Sequence, residues 1–379
     1  MSFREILCAL IITLVILALN LSLPTMLRQD DTMWQGYLEN HRTMAPFSLR
    51  PLVTQATSII SNLTGLSIKQ AFIINQYPLL FLMFLSFAVF LKRLGFKLKS
   101  RLLGMMVLGF CYPILCIHFI PNYTWDDIWL YLGIIWMSYF LIDGRIFQAA
   151  VIMLFTTLGR EHILMFAPVF LIWARPGKSL LKIGLALAIP ILGYAVYRYL
   201  MFPDVFYDRF QYWAQNFADI PATRQSLYSL MISFGWVWIA AFLALRSNHR
   251  PEYEIEPEIF IKLKRSALII APLAVAIVLI LVKARETRIF FPPFIYLIPM
   301  AIIVINKSRI SIREALQRIS FWIIWLVIFG ILTGLMILLF PGFLFLPILD
   351  FHRVLLAIHL TLALMLWIYY RDRKQSENQ

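Results

Sequence analysis

Apolar runs recur along this chain from one end to the other, each roughly 17 to 25 residues long and therefore able to cross a hydrocarbon core as a helix. Lipid offers no partner to a free backbone N–H or C=O, so such a run must satisfy its hydrogen bonds within itself. That restricts it to a helix. The expected fold is an all-α polytopic membrane protein of about 11–13 transmembrane helices. The composition agrees, at 61% hydrophobic and 14% charged residues in a chain of 379, outside the mixture of a soluble domain. The whole of 1–379 is expected to be a single transmembrane domain.

The net charge of +14 could suggest a nucleic-acid partner. However, Lys and Arg fall in the short connections between apolar runs, where the positive-inside rule expects them. The basicity thus reads as topology, with membrane lipids and no nucleic acid as its partners. Lys92, Arg93, Lys97, Lys99 and Arg101 gather in one connection and mark it as an inner one. The first apolar run follows MSFRE, and no small-x-small cleavage pattern precedes Pro24, so it is expected to stay as an uncleaved first helix starting inside. Cys8, Cys111 and Cys116 lie within apolar runs and read as small buried residues rather than ligands or disulfides. The high Ile and Leu content and short connections lean toward a multi-pass protein of a bacterial inner membrane, with its site facing the periplasm or exterior.

In chain order, spans are expected over about 6–23, 73–91, 102–120, 181–201, 227–245, 266–282, 289–305, 319–340 and 353–370, with a further descent before residue 142. A first outer loop covers 24–72, and its part 56–72 reads as an interfacial helix. A second outer loop, 203–226, carries Phe206, Tyr207, Phe210, Tyr212, Trp213 and Phe217. These suit an interfacial aromatic belt or, more sharply, stacking on a sugar ring. An inner loop covers 246–265, an outer re-entry 341–352 and a cytoplasmic tail 371–379. The run 147–173 is interrupted by GREH at 159–162, which predicts two short helices meeting on the outer side.

This topology carries Asp30, Asp31, Asp126, Asp127, Glu161 and Glu286 to the outer face, together with Arg160, Arg285, Arg288, His41, His162 and His352. Asp30 and Asp31 could be plain solvated loop acids, and Arg160 with Glu161 an ion pair that only fixes a helix break. Ionisable groups at a membrane helix junction nevertheless require a partner or a wet cavity. Carboxylates and arginines in one outer cavity suit glycosyl transfer from a lipid phosphate, a base taking the acceptor's proton and cations holding the departing phosphate. No HxxxH or HExxH spacing is present, so no cofactor is expected, with a divalent metal held by His and acids as the alternative.

The long acidic loop after the first helix, the interfacial segment before the second, the acidic turn PNYTWDDIW, and GREH followed by ILMFAP together resemble the GT-C superfamily of integral membrane glycosyltransferases. ETRIFFPPFIYLIP is similar to a late segment of several bacterial members. The resemblance implies a GT-C-like fold with interfacial helices in the outer loops. It also implies a polyprenyl-phosphate-linked sugar as donor, a glycan or lipid acceptor, and inverting transfer at the outer face. Catalysis would rest on Asp31 or Asp30 as base. Glu161 matches the acidic residue of the Arg-Glu junction, and Arg160 and Arg288 become phosphate or structural partners. Asp126, Asp127, Glu286 and His162 complete the expected substrate-binding set. Many members carry a large soluble domain after the last helix, whereas nine residues follow the last apolar run here, which leaves the acceptor open.

A polysaccharide polymerase or ligase would depend on arginines in a large late outer loop, and the late loops here are short. A transporter or flippase would place its charges at mid-membrane in repeated broken helices. A non-enzymatic assembly subunit would make the outer charges mere surface.

Overall fold

The computed structural model describes residues 1–22, 26–44, 47–119, 124–174, 180–201, 211–246, 255–284, 286–316, 319–339 and 356–366. The expected re-entry 341–352, the tail 371–379, and Arg285, His352, Phe206, Tyr207 and Phe210 lie outside these residues. Every regular element among the described residues is helical. Four helices are long and apolar enough to cross a membrane, and a bent pair could make a fifth. The other expected spans fall largely on shorter apolar helices of 10–17 residues.

Helix α1 (Phe3–Ser22) shows how the sequence sorts its faces. Ala9, Thr13, Ile16 and Asn20 are buried, while Leu10, Ile11, Leu14 and Val15 face outward, as lipid-facing positions of a spanning helix would. Thr13 Oγ1 and Asn20 Nδ2 donate to Ala9 O and Ile16 O one turn back, at 2.8 and 2.7 Å. The expected first outer loop folds into two helices, α2 (Asp31–Thr43) and α3 (Pro51–Thr64). Trp34, Tyr37, Leu38 and His41 form the buried stripe of α2. Gly65, in the left-handed region, closes α3.

The expected span 73–91 starts earlier, as α4 (Ile68–Arg93), because Ser67 and Gln70 form a reciprocal capping box that fixes its N-terminus. The expected span 102–120 is instead split. Helix α5 (Leu98–Phe110) stops at Cys111, whose backbone is extended, and α6 (Tyr112–Leu115) restarts with Pro113 in its first turn, where a missing N–H costs nothing.

Helices α7 (Asp127–Ile142) and α8 (Ile146–Thr157) cross closely at Gly133, where a Cβ would overlap the Thr156 side chain. A 3-10 turn, Glu161–Phe166, and α9 (Ala167–Trp173) follow, so the chain breaks at GREH as the sequence predicts. Helix α10 (Leu180–Met201) is long and apolar enough to cross a membrane, and the short α11 (Gln211–Asn216) packs on a later helix.

The expected span 227–245 is two helices, α12 (Ile220–Phe234) and α13 (Trp236–Arg246), bent by 70°. Gly235 makes the bend at φ 52°, and a Cβ there would meet the His359 ring. Gly235→Ala is therefore expected to destabilise the fold by about 1–3 kcal/mol, through left-handed strain and overpacking together. Gly184→Ala in α10, with open space around it, should not. Thermal unfolding of the two variants checks this, and equal melting temperatures would rule it out.

Helices α14 (Pro257–Leu281), α15 (Phe294–Leu316) and α16 (Ile319–Leu339) follow, and residues 356–366 form α17. Pro257 opens α14 well before the expected residue 266. Pro292 and Pro293 delay α15 from the expected 289, leaving a 3-10 turn, Thr287–Phe290, ahead of it. The core joins α4, α5, α7, α13 and α15 through residues such as Phe87, Tyr131, Phe291 and Phe294, with the Ser138 and Tyr296 hydroxyls hydrogen-bonded at 3.1 Å.

Candidate functional site

Four chain segments that end or begin helices meet at one place. Arg50, immediately before α3, reaches Glu161 at the GREH break. Its Nε donates to Oε2 at 3.0 Å and its Nη2 to Oε1 at 2.9 Å, a bidentate pair with both side chains buried. Asp127, the first residue of α7, is shared by two cations. Arg160 pairs with it from the GREH break, and Arg288 Nη1 approaches both of its oxygens at 3.2 Å from the turn before α15. Arg288 also pairs through Nη2 with Glu286, whose side chain is 26% exposed.

Asp126 completes the set. It lies ahead of α7 with its side chain buried, and its Oδ1 has no hydrogen-bond partner among the described residues. Burial pushes its carboxyl up to about 7, against the pull of Arg50, Arg160 and Arg288. Three guanidinium groups and four carboxylates are thus held together by residues that lie between positions 50 and 288. Burying an ion costs several kcal/mol after relaxation, so a cluster of this size is retained at considerable expense.

An aromatic layer adjoins the cluster through Trp125, the neighbour of Asp126. Trp125 packs on Phe72 at 4.6 Å between ring centroids, on His41 at 4.9 Å and on Trp34 at 6.0 Å. The buried stripe of α2 supplies Trp34 and His41, so the loop helix is seated on this layer. On another side lies an apolar groove of about 520 Å³, lined by Leu52, Leu82, Trp129, Leu132, Trp136 and Phe155 among others. Leu52 is two residues from Arg50, and Trp129 is one helical turn from Asp126. Leu82 and Phe155 are exposed on the protein's surface.

The structure brings together Asp126, Asp127, Arg160, Glu161, Glu286 and Arg288, six of the nine positions expected from the sequence. His162 lies beside them, its Nδ1 3.9 Å from Glu161 Oε1. Asp30 and Asp31 make none of these ion pairs; they open α2, whose buried stripe rests on the adjoining aromatic layer. Asp30 is the N-cap of α2, its Oδ1 accepting from the Met33 amide at 3.1 Å, and Asp31 is exposed in the first turn. Both therefore also serve the helix electrostatically, as acids at an N-terminus do.

Comparison with known proteins finds no match. No family model, no curated protein and no solved structure is similar to this chain. Only the geometry of the cluster and its surroundings therefore bears on its chemistry. Among the described residues, no group of three or more His, Cys, Asp or Glu side chains is placed to hold a metal ion.

Sequence reasoning missed Arg50. The one available signal was its position, a lone cation directly before Pro51 at a helix start within an outer loop, and that pattern is common. Only folding shows that it spans 111 positions to reach Glu161.

Proposed function

We propose that this chain is a membrane glycosyltransferase that moves a sugar from a polyprenyl-phosphate donor to a glycan or lipid acceptor of the cell envelope, at the outer face of the membrane. The observation that supports this best is the pairing of a buried arginine–carboxylate cluster with an apolar groove at its edge. A lipid-linked donor has those two parts, an anionic phosphate and an isoprenoid chain. The chain lies in the groove past Trp129, and the phosphate sits at Arg160 and Arg288.

Charge sharing favours such a ligand. Arg160 and Arg288 divide one carboxylate, Asp127, between them, and Glu286 is exposed enough to release Arg288. A phosphate oxygen arriving there replaces a shared interaction instead of breaking a private one. The N-termini of α3 and α7 point their partial positive charge toward the same place. In the reaction the acceptor hydroxyl oxygen bonds to the anomeric carbon as the bond from that carbon to the phosphate oxygen breaks. The electron pair leaves with polyprenyl phosphate, a carboxylate takes the hydroxyl proton, and the anomeric centre inverts. The two guanidinium groups stabilise the phosphate as its charge develops.

Of the two first-loop acids, Asp31 is the better base, because Asp30 spends one oxygen on the Met33 amide. Asp126 is the second reading for the base, favoured by its unpartnered oxygen and its raised proton affinity. Transfer of radiolabel from polyprenyl-phosphate sugars to membrane glycan tests the assignment. Asp31→Asn is expected to abolish transfer at normal protein level, with Asp30→Asn losing little. If Asp126 is the base instead, the rate rises with pH through about 7, the range in which its carboxyl gives up its proton, and Asp126→Asn removes that limb. Full transfer by all three variants would overturn both assignments.

A further inference from the structure

We propose that Gln76, Tyr77 and His118 form a second, uncharged site that receives the hydroxyl groups of the donor's sugar ring. This rests on the glycosyltransferase reading and extends it from the phosphate to the sugar. The three side chains are buried, two of them completely, and five of their polar atoms make no hydrogen bond among the described residues: Gln76 Oε1 and Nε2, the Tyr77 hydroxyl, and both ring nitrogens of His118. Native proteins leave few such atoms unpaired, because each costs about 1–3 kcal/mol in desolvation. Five in one place call for a partner from outside the chain, and a polyhydroxylated ring can meet them all.

They do share one place. The His118 ring lies 5.2 Å from the Phe72 ring and 5.3 Å from the Tyr77 ring. On α4, at about 3.6 residues per turn, Gln76 falls between Phe72 and Tyr77 on the helix face. His118 therefore sits over the part of α4 that carries Gln76. Phe72 in turn packs on Trp125 and Trp34, whose indole N–H groups are also buried and make no hydrogen bond among the described residues. Donors and acceptors of both kinds, with aromatic faces and no ionised side chain among them, suit a neutral polyhydroxylated ring better than an ion. Phe72 touches both His118 and Trp125, the neighbour of Asp126, so this set adjoins the side of the cluster that carries Asp126.

The test measures binding to protein in lipid nanodiscs of two ligands, bare polyprenyl phosphate and the same lipid carrying a hexose or pentose from a small panel. Wild type is expected to prefer at least one sugar-bearing lipid. Gln76→Leu, Tyr77→Phe and His118→Leu are each expected to weaken that ligand about 5- to 10-fold, the loss of one or two hydrogen bonds. They should leave bare polyprenyl phosphate unchanged. Each variant removes an unsatisfied polar group, so its ligand-free melting temperature should equal or exceed that of wild type, which a structural role would not produce. A wild-type preference that persists in all three variants, as when only water fills the site, overturns this proposal and leaves the enzymatic reading standing. Variants that melt lower and lose both lipids equally overturn it as well. A wild type that binds no sugar-bearing lipid better than the bare one overturns this proposal too, and the enzymatic reading falls with it only if neither lipid binds.

Discussion

Arg50→Met is expected to destabilise the protein by about 3–5 kcal/mol, the scale for removing one partner of a buried ion pair. The substitution leaves Glu161 buried among helix ends without either of its two short hydrogen bonds from Arg50. Glu161→Leu should cost a similar amount by stranding the Arg50 guanidinium. The double variant, Arg50→Met with Glu161→Leu, is expected to recover most of the loss, since apolar pairs of similar size replace buried ion pairs at little cost. Thermal unfolding of the two single variants and the double gives the coupling directly. Additive losses would mean that the two residues do not act as a pair. On the proposed function, the pair also holds the phosphate site in place. Arg50 ties the start of α3 to the GREH break that also carries Arg160.

The second large effect falls on transfer. Arg160→Met and Arg288→Met are each expected to reduce kcat/KM by on the order of 10²-fold or more, the usual cost of removing one preorganised donor from a developing anion. Arg288→Lys should recover only part of this. A compact ammonium lacks the planar fork whose separate nitrogens meet Asp127 and Glu286. Lys92→Met, at an exposed position near the end of α4, serves as a control and should leave transfer unchanged. Rates of label transfer at saturating acceptor decide this. Loss confined to KM would point to ground-state binding alone.

Much of this arrangement was legible in the sequence, for a physical reason. Apolar runs can only be helices in lipid, and ionisable residues beside them are rare enough to stand out. Topology alone projects Asp126, Asp127, Arg160, Glu161, Glu286 and Arg288 to one face, and in the fold they lie together in one cluster. The GREH break was visible because charged residues interrupt an otherwise continuous run. The bend at Gly235 was not, since a single glycine in an apolar helix carries no sign of its own conformation. The split at Cys111 was hidden in the same way, because Pro113 can sit inside a kinked helix or open a new one. Gln76 and His118 look like isolated polar residues in apolar runs. Their meaning depends on what they fail to touch, and sequence cannot show that.

Binding of polyprenyl phosphate, set against the matching polyprenyl alcohol, tests most directly whether the buried cluster holds a lipid-borne phosphate. It needs neither the right sugar nor the right acceptor. Wild-type protein in nanodiscs is predicted to bind the phosphate saturably and at least about 10-fold more tightly than the alcohol, a margin that one or two charge-assisted hydrogen bonds supply. Arg160→Met, assayed at a temperature where the variant remains folded, is predicted to erase that margin. Equal binding of phosphate and alcohol by wild type, or an undiminished preference in Arg160→Met, would contradict the role given to the cluster.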